Sequence, residues 1–270
     1  MGKKRATKAV TVTVATIGVV GLYLYQPQRI DFLPRPVPDH NPRIDPDSAR
    51  LFSAGTRVAV VAAHPDDTEF FLGGTLTKLA QSGAKVLLIV CTDGDKGYYP
   101  WFLTNADENR RVRRLEQLEA ARAYGAEVIF LAKPDGRLHA DQELIRQLQF
   151  SLKEFDPEYL LAFDPDYPPR VQHSDHLQSG IAAIEALKQL PKVRWLLRYS
   201  THAPNFYLDV TPFWPEKERL LAVHRSQFNG NRLAKIKRML RSWAHEDGRA
   251  IGADLAESIR VEALGILQAG

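Results

Sequence analysis

A single cysteine, Cys91, excludes an internal disulfide framework, so the fold must rest on apolar burial. Standing at the end of an apolar run, it reads as a buried thiol. The sequence also has no repeat at a solenoid period, which excludes stacked-repeat architectures. Nor has it a charge excess beyond its first residues. Lys3, Lys4, Arg5 and Lys8 account for the whole difference between 36 basic and 32 acidic residues. With no basic stripe interleaved with aromatics, nucleic acid is excluded as a partner.

One long uncharged run is present, Ala9–Tyr25, and at about 17 residues it lies near the lower limit of a membrane-spanning helix. No small-x-small cleavage site follows Tyr25, which favours an uncleaved transmembrane anchor over a cleaved signal segment. Tyr23 and Tyr25 suit the membrane interface, and the basic cluster ahead of the run, only partly balanced by Arg29, Arg35 and Arg43, leans towards an extracytoplasmic main domain. The chain then divides into a basic N-terminus (1–8), a single-pass anchor (9–25), a Pro-rich linker (26–50), and one domain (51–270) onto which that linker wraps.

Within that domain "RVAVVAA" (57–63), "KVLLIVC" (85–91), "EVIFLA" (127–132) and "EYLLAF" (158–163) read as strands buried on both faces. Between them lie helical stretches at 73–83, 106–125 and 139–155, the first two closing on Gly83 and Gly125. A polar loop (164–176) leads to a helix over 177–190 and a strand over 193–200. The tail holds a strand at 207–210 and helices near 216–227 and 231–245. The alternation predicts an α/β fold, a mostly parallel sheet with helices on both faces, preceded by the N-terminal transmembrane helix.

Two polar clusters fall at carboxyl ends of strands, where such sheets bind ligands. The first is "HPDDTE", with His64, Asp66, Asp67 and Glu69; the second is "HSDH", with His173, Asp175 and His176. So many ionisable groups beyond an apolar run are costly to bury unless a cation compensates them. His64 and Asp67 bring nitrogen and oxygen donors to one point, His173 and His176 offer a third ligand, and such a set suits zinc. Three protein ligands with an open position describe a catalytic site, whose water needs a proton acceptor, and Asp66 stands beside the ligands as that base. Each cluster has a plainer reading: a helix entry capped by Asp66 or Asp67, and a solvated loop capped by Asp175.

"AHPDDTEFFLGGTL", the distant "HSDH", "RRLEQLEAARAYG", "PDGRL" and "YLDVTPFWPEKERLLAVHRSQ" together resemble the PIG-L/LmbE-like family of zinc-dependent N-acetylglucosaminyl deacetylases. The resemblance implies a Rossmann-like fold and one Zn2+ per chain on His64, Asp67 and His176. It also implies Asp66 as general base and His173 as the group that protonates the leaving amine and, as an imidazolium, steadies the oxyanion, with Asp175 orienting it. Arg113 and Asp135 take the places of substrate-binding residues, although Arg113 also fits a solvated helix face and Asp135 a turn. The second motif departs from the commoner "HPDH" in having Ser174 in place of proline, and Thr68 separates Asp67 from Glu69.

The expected activity is hydrolysis, by metal-activated water, of the N-acetyl group of an N-acetylglucosamine-containing glycan or glycolipid at a membrane. A zinc amidase acting on a sugar–thiol conjugate or other small amide, and a non-catalytic zinc-stabilised glycan-binding module, are the alternatives. His202 and His224 read as cleft residues or as structural histidines, and Tyr98, Tyr99 and Trp101 as a sugar platform or a cover over the core.

Overall fold

The computed structural model describes residues 29–31, 35–97, 105–169 and 171–264. The expected anchor at 9–25 and the aromatic cluster Tyr98, Tyr99 and Trp101 lie outside the described residues. Among the described residues no helix is long and apolar enough to cross a membrane.

In chain order the elements are β1 (Arg29–Asp31), α1 (Ser48–Leu51), β2 (Arg57–Ala62), α2 (Asp67–Ser82), β3 (Lys85–Thr92), α3 (Ala106–Ala123), β4 (Glu127–Lys133), α4 (Gln142–Phe155) and β5 (Tyr159–Phe163). They continue with β6 (Val171–His173), α5 (Ser174–Leu187), β7 (Trp195–Tyr199), β8 (Phe206–Asp209), α6 (Trp214–Val223), α7 (Gly230–Arg249) and β9 (Ala256–Ala263). A seven-stranded sheet runs in the order β4-β3-β2-β5-β7-β9-β8. The first five strands are parallel, while β9 runs antiparallel to both β7 and β8.

The chain winds outwards from β2 through β3 to β4, then returns to place β5 on the other side of β2. That reversal is a topological switch point, and a crevice opens beyond the carboxyl ends of the two strands that flank it. His64 follows β2, and the "HSDH" segment follows β5. The winding of the chain thus brings two motifs over a hundred residues apart to one edge.

Strand pleating sends alternate side chains to opposite faces. Val58 and Val60 of β2 join Leu72, Leu76 and Leu79 of α2 in one core layer, while Ala59 and Val61 join Leu144, Leu148 and Leu152 of α4 and Ala182, Ala183 and Ala186 of α5 in the other. Cys91 is buried in the second layer, where burial pushes its thiol up to about 12. A third cluster, with Val210, Trp214, Leu221, Leu240 and Leu255, seats α6 and α7 against the antiparallel end of the sheet.

Four features differ from the sequence-based expectation. The helix expected to begin at Gly73 begins six residues earlier, at Asp67. "GG" is a close-approach site inside the helix: a Cβ on Gly74 would lie 2.6 Å from Val210 Cβ. The helix expected from Leu177 begins at Ser174, because His173 supplies its cap. Within the Pro-rich segment 26–50, β1 pairs antiparallel with β6, and Ile44 donates to the Asn205 carbonyl. Finally, β9 has no counterpart among the expected elements; its "AESIRVEA" alternates polar and apolar residues as a half-buried antiparallel strand does.

Candidate metal and catalytic centre

The Asp67 carboxylate ties the end of β2 to the start of α2. Its Oδ2 accepts hydrogen bonds from the backbone N–H of Ala63 (3.1 Å) and His64 (2.7 Å), and its Oδ1 lies 3.1 Å from His176 Nε2. His64 Nδ1 lies 3.5 Å from Oδ2. One donor atom each from His64, Asp67 and His176 falls within 4.8 Å of the others. Burial alone would raise Asp67, but His176 and His64 outweigh it and hold the carboxyl well below its ordinary range.

The second ring nitrogen of each histidine decides whether this trio fits a metal. His64 Nε2 lies 3.3 Å from Asp135 Oδ1 and 3.3 Å from Asp175 Oδ2, so its proton belongs there and the Nδ1 lone pair is free. His176 Nδ1 lies 2.7 Å from Gln172 Oε1, which places its proton on Nδ1 and frees Nε2 towards Asp67. Outer acceptors of this kind fix the tautomers of metal-bound histidines, so the donor set N, O, N fits zinc. The grouping of His64, His173 and Asp175 is also compact, but its atoms have other work. The Asp175 oxygens accept from the backbone N–H of Gly136 (2.7 Å) and Leu138 (3.1 Å). His173 Nδ1 accepts from the backbone N–H of Asp175 (3.1 Å).

Asp66 occupies the position just before α2 but makes no capping bond with its side chain. Its φ of 102° is a costly backbone state for a residue with a Cβ, of the kind that persists where surrounding structure imposes it. Three bonds impose it: Gln117 Oε1 accepts from the Asp66 N–H (2.9 Å), and buried Arg113 donates to the Pro65 carbonyl and to Asp66 Oδ2 (3.0 Å). Burial raises the Asp66 carboxyl above its ordinary value although Arg113 opposes the shift, a direction that suits a proton acceptor near neutrality. The plain helix-cap reading of "HPDD" therefore fails on geometry.

His173 is the N-cap of α5 through Nδ1, an uncommon cap that keeps the ring proton on Nε2. Burial, with His64 and His176 nearby, lowers its pKa to about 4. With that bond in place His173 presents its Nε2–H as a donor. Asp175 orients it through its backbone N–H, while its carboxylate steadies His64 and the 136–138 turn.

Arg113 and Asp135 reach the site from beneath. Arg113 is 4% exposed and its Nη1 donates to the Gly94 carbonyl (2.6 Å); a Cβ on Gly94, whose φ is +62°, would meet that guanidinium. Asp135 accepts from the Lys96 N–H (2.8 Å), and despite burial the His64 contact lowers its carboxyl.

Glu69, the last acid of the first motif, is fully buried and fully bonded. It accepts from Thr68 (3.0 Å), Gln117 Nε2 (2.9 Å) and Tyr124 (2.6 Å), and faces His224 Nε2 at 3.0 Å. His224 is structural in this sense, and His202 lies between the carbonyls of Pro168 and Arg35. Gln117 and Gln172 are working residues that sequence reasoning misses. Gln117 stands one turn from Arg113 on α3, which is an available signal; Gln172 lies in β6, outside the helix that carries His176, and no spacing marks it.

Comparison with known proteins agrees with this geometry. The family profile described as PIG-L, GlcNAc-PI de-N-acetylase, matches residues 59–187. Diacetylchitobiose deacetylase of Thermococcus kodakarensis is 28% identical over 231 residues, covering 77% of this chain and 84% of its own. The Bacillus anthracis protein designated Probable N-acetyl-alpha-D-glucosaminyl L-malate deacetylase 2 is 26% identical over 207 residues, covering 71% and 87%. The solved structure of N,N'-diacetylchitobiose deacetylase from Pyrococcus horikoshii superposes with a TM-score of 0.72 at 30% identity, over 80% of this chain and 87% of that one. The "HPDD" and "HSDH" motifs, gathered at one sheet edge in this fold, thus identify the chain as a member of the PIG-L/LmbE-like deacetylase family.

Proposed function

We propose that the chain is a zinc-dependent deacetylase that hydrolyses the N-acetyl group of an N-acetylglucosamine-containing glycan or glycolipid. We infer further that the Ala9–Tyr25 segment holds it at a membrane with the domain on the extracytoplasmic side. The observation that carries the reaction is Asp66: a partly buried carboxylate beside three metal-fitting donors, aimed by Arg113 and Gln117, and not itself one of those donors. A binding module has no use for such a group.

His64, Asp67 and His176 would hold the zinc, which when bound supplies Lewis-acid polarisation and acidifies water. Asp66 takes a proton from the attacking water as its oxygen adds to the amide carbon. His173 donates its Nε2–H to the carbonyl oxygen as charge gathers there. When the C–N bond breaks, the proton held on Asp66 passes to the departing nitrogen and the remaining hydroxyl proton is lost to solvent, leaving acetate and a free amine. Held this way, His173 serves the oxyanion without surrendering its bond to the Asp175 N–H.

The experiment is acetate release by the full chain, metal-stripped and then zinc-reconstituted, on N-acetylglucosamine carried by a lipid, a glycan oligomer or inositol. Zinc-restored release is expected. Asp66→Asn should keep zinc and lose turnover by roughly 10²- to 10⁴-fold. Zinc binding without release from any of the three would transfer the assignment to an amidase of another small amide. The anchor is tested separately by alkaline extraction of membranes, which should leave the full chain in the pellet and release a chain lacking residues 1–28.

A further inference from the structure

β6 has no place in the seven-stranded sheet. Its residues, Val171–His173, stand between the loop that leaves β5 and the first turn of α5, and among the described residues β1 is its one ladder partner. Two of those residues belong to the catalytic centre. Gln172 Oε1 accepts from the candidate metal ligand His176, and His173 is the Nε2–H donor placed for the amide oxygen. The register sets Arg29 opposite His173, Ile30 opposite Gln172 and Asp31 opposite Val171. A strand of the Pro-rich linker thus lies along the segment that carries both groups.

Gln172 is secured without help from β1, because its Nε2 donates to Ser200 (3.1 Å) while its Oε1 faces His176. The backbone at His173 is held less well. Its N–H turns to the neighbouring Gln172 side chain (3.1 Å), so the regular pairing of this segment rests on the short ladder with β1. An isolated two-stranded pairing is marginal in water, and β1 is useful only if its own chain is held close by. That condition is met. His202 lies between the carbonyl oxygens of Pro168 (2.9 Å), in the loop before β6, and Arg35 (2.7 Å) in the linker. Asn41 Nδ2 donates to the Pro204 carbonyl (3.0 Å), Arg43 to the Ala250 carbonyl, and the Ile44 N–H to the Asn205 carbonyl (3.1 Å). Seated in this way, residues 35–44 keep β1 at high effective concentration beside β6.

We propose that β1 is a positioning strand for the catalytic centre: by pairing with β6 it fixes the His173 backbone, and with it the Nε2–H, where charge gathers on the amide oxygen. The proposal rests on the deacetylase reading, and adds that the linker before residue 51 is part of the working enzyme. A catalytic group misplaced by about 1 Å costs on the order of a hundredfold in rate.

The test uses the zinc-loaded full chain and whichever N-acetylglucosamine carrier it turns over among lipid, glycan oligomer and inositol. Hydrogen-bonded pairs alternate along an antiparallel ladder, so prolines at two consecutive positions remove an N–H facing β6 in either phase. Arg29→Pro combined with Ile30→Pro should lower kcat by about ten- to a hundredfold, with KM, Tm and zinc affinity little changed. Ile30→Val, which keeps the ladder, should keep wild-type kcat. His173→Asn retains a capping oxygen for α5 but lacks the ring donor. In that background the two prolines should cost nothing more, because a strand that acts through His173 has nothing left to place. A proline loss that persists undiminished in His173→Asn, or one matched by a loss of Tm or of zinc, would overturn the role of β1. Wild-type kcat in the proline variant would do the same. No acetate release by wild type from any carrier would overturn the reaction and this proposal with it, so the two failures are distinguishable.

Discussion

Buried Arg113 pairs with partly buried Asp66, 3.0 Å between Nη2 and Oδ2, and the same guanidinium also holds the Pro65 and Gly94 carbonyls. The arginine that family resemblance assigns to substrate also holds the base and its loop. Arg113→Lys keeps the charge but loses the planar fork that spans three acceptors. Its kcat should fall on the order of a hundredfold, as misplacement of a catalytic group does, with KM little changed. Steady-state kinetics decide it: a dominant rise in KM would return Arg113 to the substrate.

Gln172 touches the candidate metal ligand His176 through its Oε1, which also accepts from the His173 N–H (3.1 Å). Gln172→Leu leaves the Nδ1–H without its acceptor and should weaken zinc binding by about 10- to 100-fold, the usual effect of losing an outer partner. Competition with a chromophoric chelator reads this directly. Unchanged affinity would show that the tautomer is set by other means.

The Glu69–His224 pair makes stability depend on pH on both sides. Burial disfavours His224's charge, but Glu69 outweighs it and raises its pKa, so this contribution is whole below the ordinary histidine value and is lost as pH rises through the raised one. Glu69 is lowered despite burial, chiefly by His224, so its contribution is whole above the ordinary glutamate value and is lost as pH falls through the lowered one. The pair is therefore strongest between about pH 4.3 and 6.5. The difference in Tm between wild type and His224→Gln, both zinc-loaded, should peak in that window and shrink on either side. A difference independent of pH would mean that the pair is not ionised.

Gly74→Ala puts a methyl group 2.6 Å from Val210 Cβ, in a contact between backbone-anchored atoms that cannot swing away. Overpacking of this kind costs about 1–3 kcal/mol. Denaturant titration should show the loss. No change would mean that α2 and the 210–213 turn can separate freely.

Much of the fold is legible in the sequence because local patterns are strong. The four parallel strands from β2 to β5 announce themselves as apolar runs, and His64, Asp67 and His176 carry spacings that few other structures need. What escapes depends on partners far along the chain. β9 becomes a strand by pairing with β7 and β8, and its one local mark is the short polar–apolar alternation of "AESIRVEA". Arg113, among four arginines of "RRVRR", looks like a solvated face until Gly94 and Pro65 are known to surround it. The tautomer of His173 comes from a cap bond that no motif records.

The antiparallel end of the sheet has a consequence for the order in which a nascent chain can become itself. β8 pairs with β9, and Glu257 of β9 accepts from the backbone N–H of Gly74 and Thr75 in the helix that begins at Asp67. A ribosome emits the parallel strands, with every motif residue, well before it emits residue 257. Until then α2 lacks the acceptor that fixes its second turn. A strand made after every motif residue therefore completes the support of the first motif to appear.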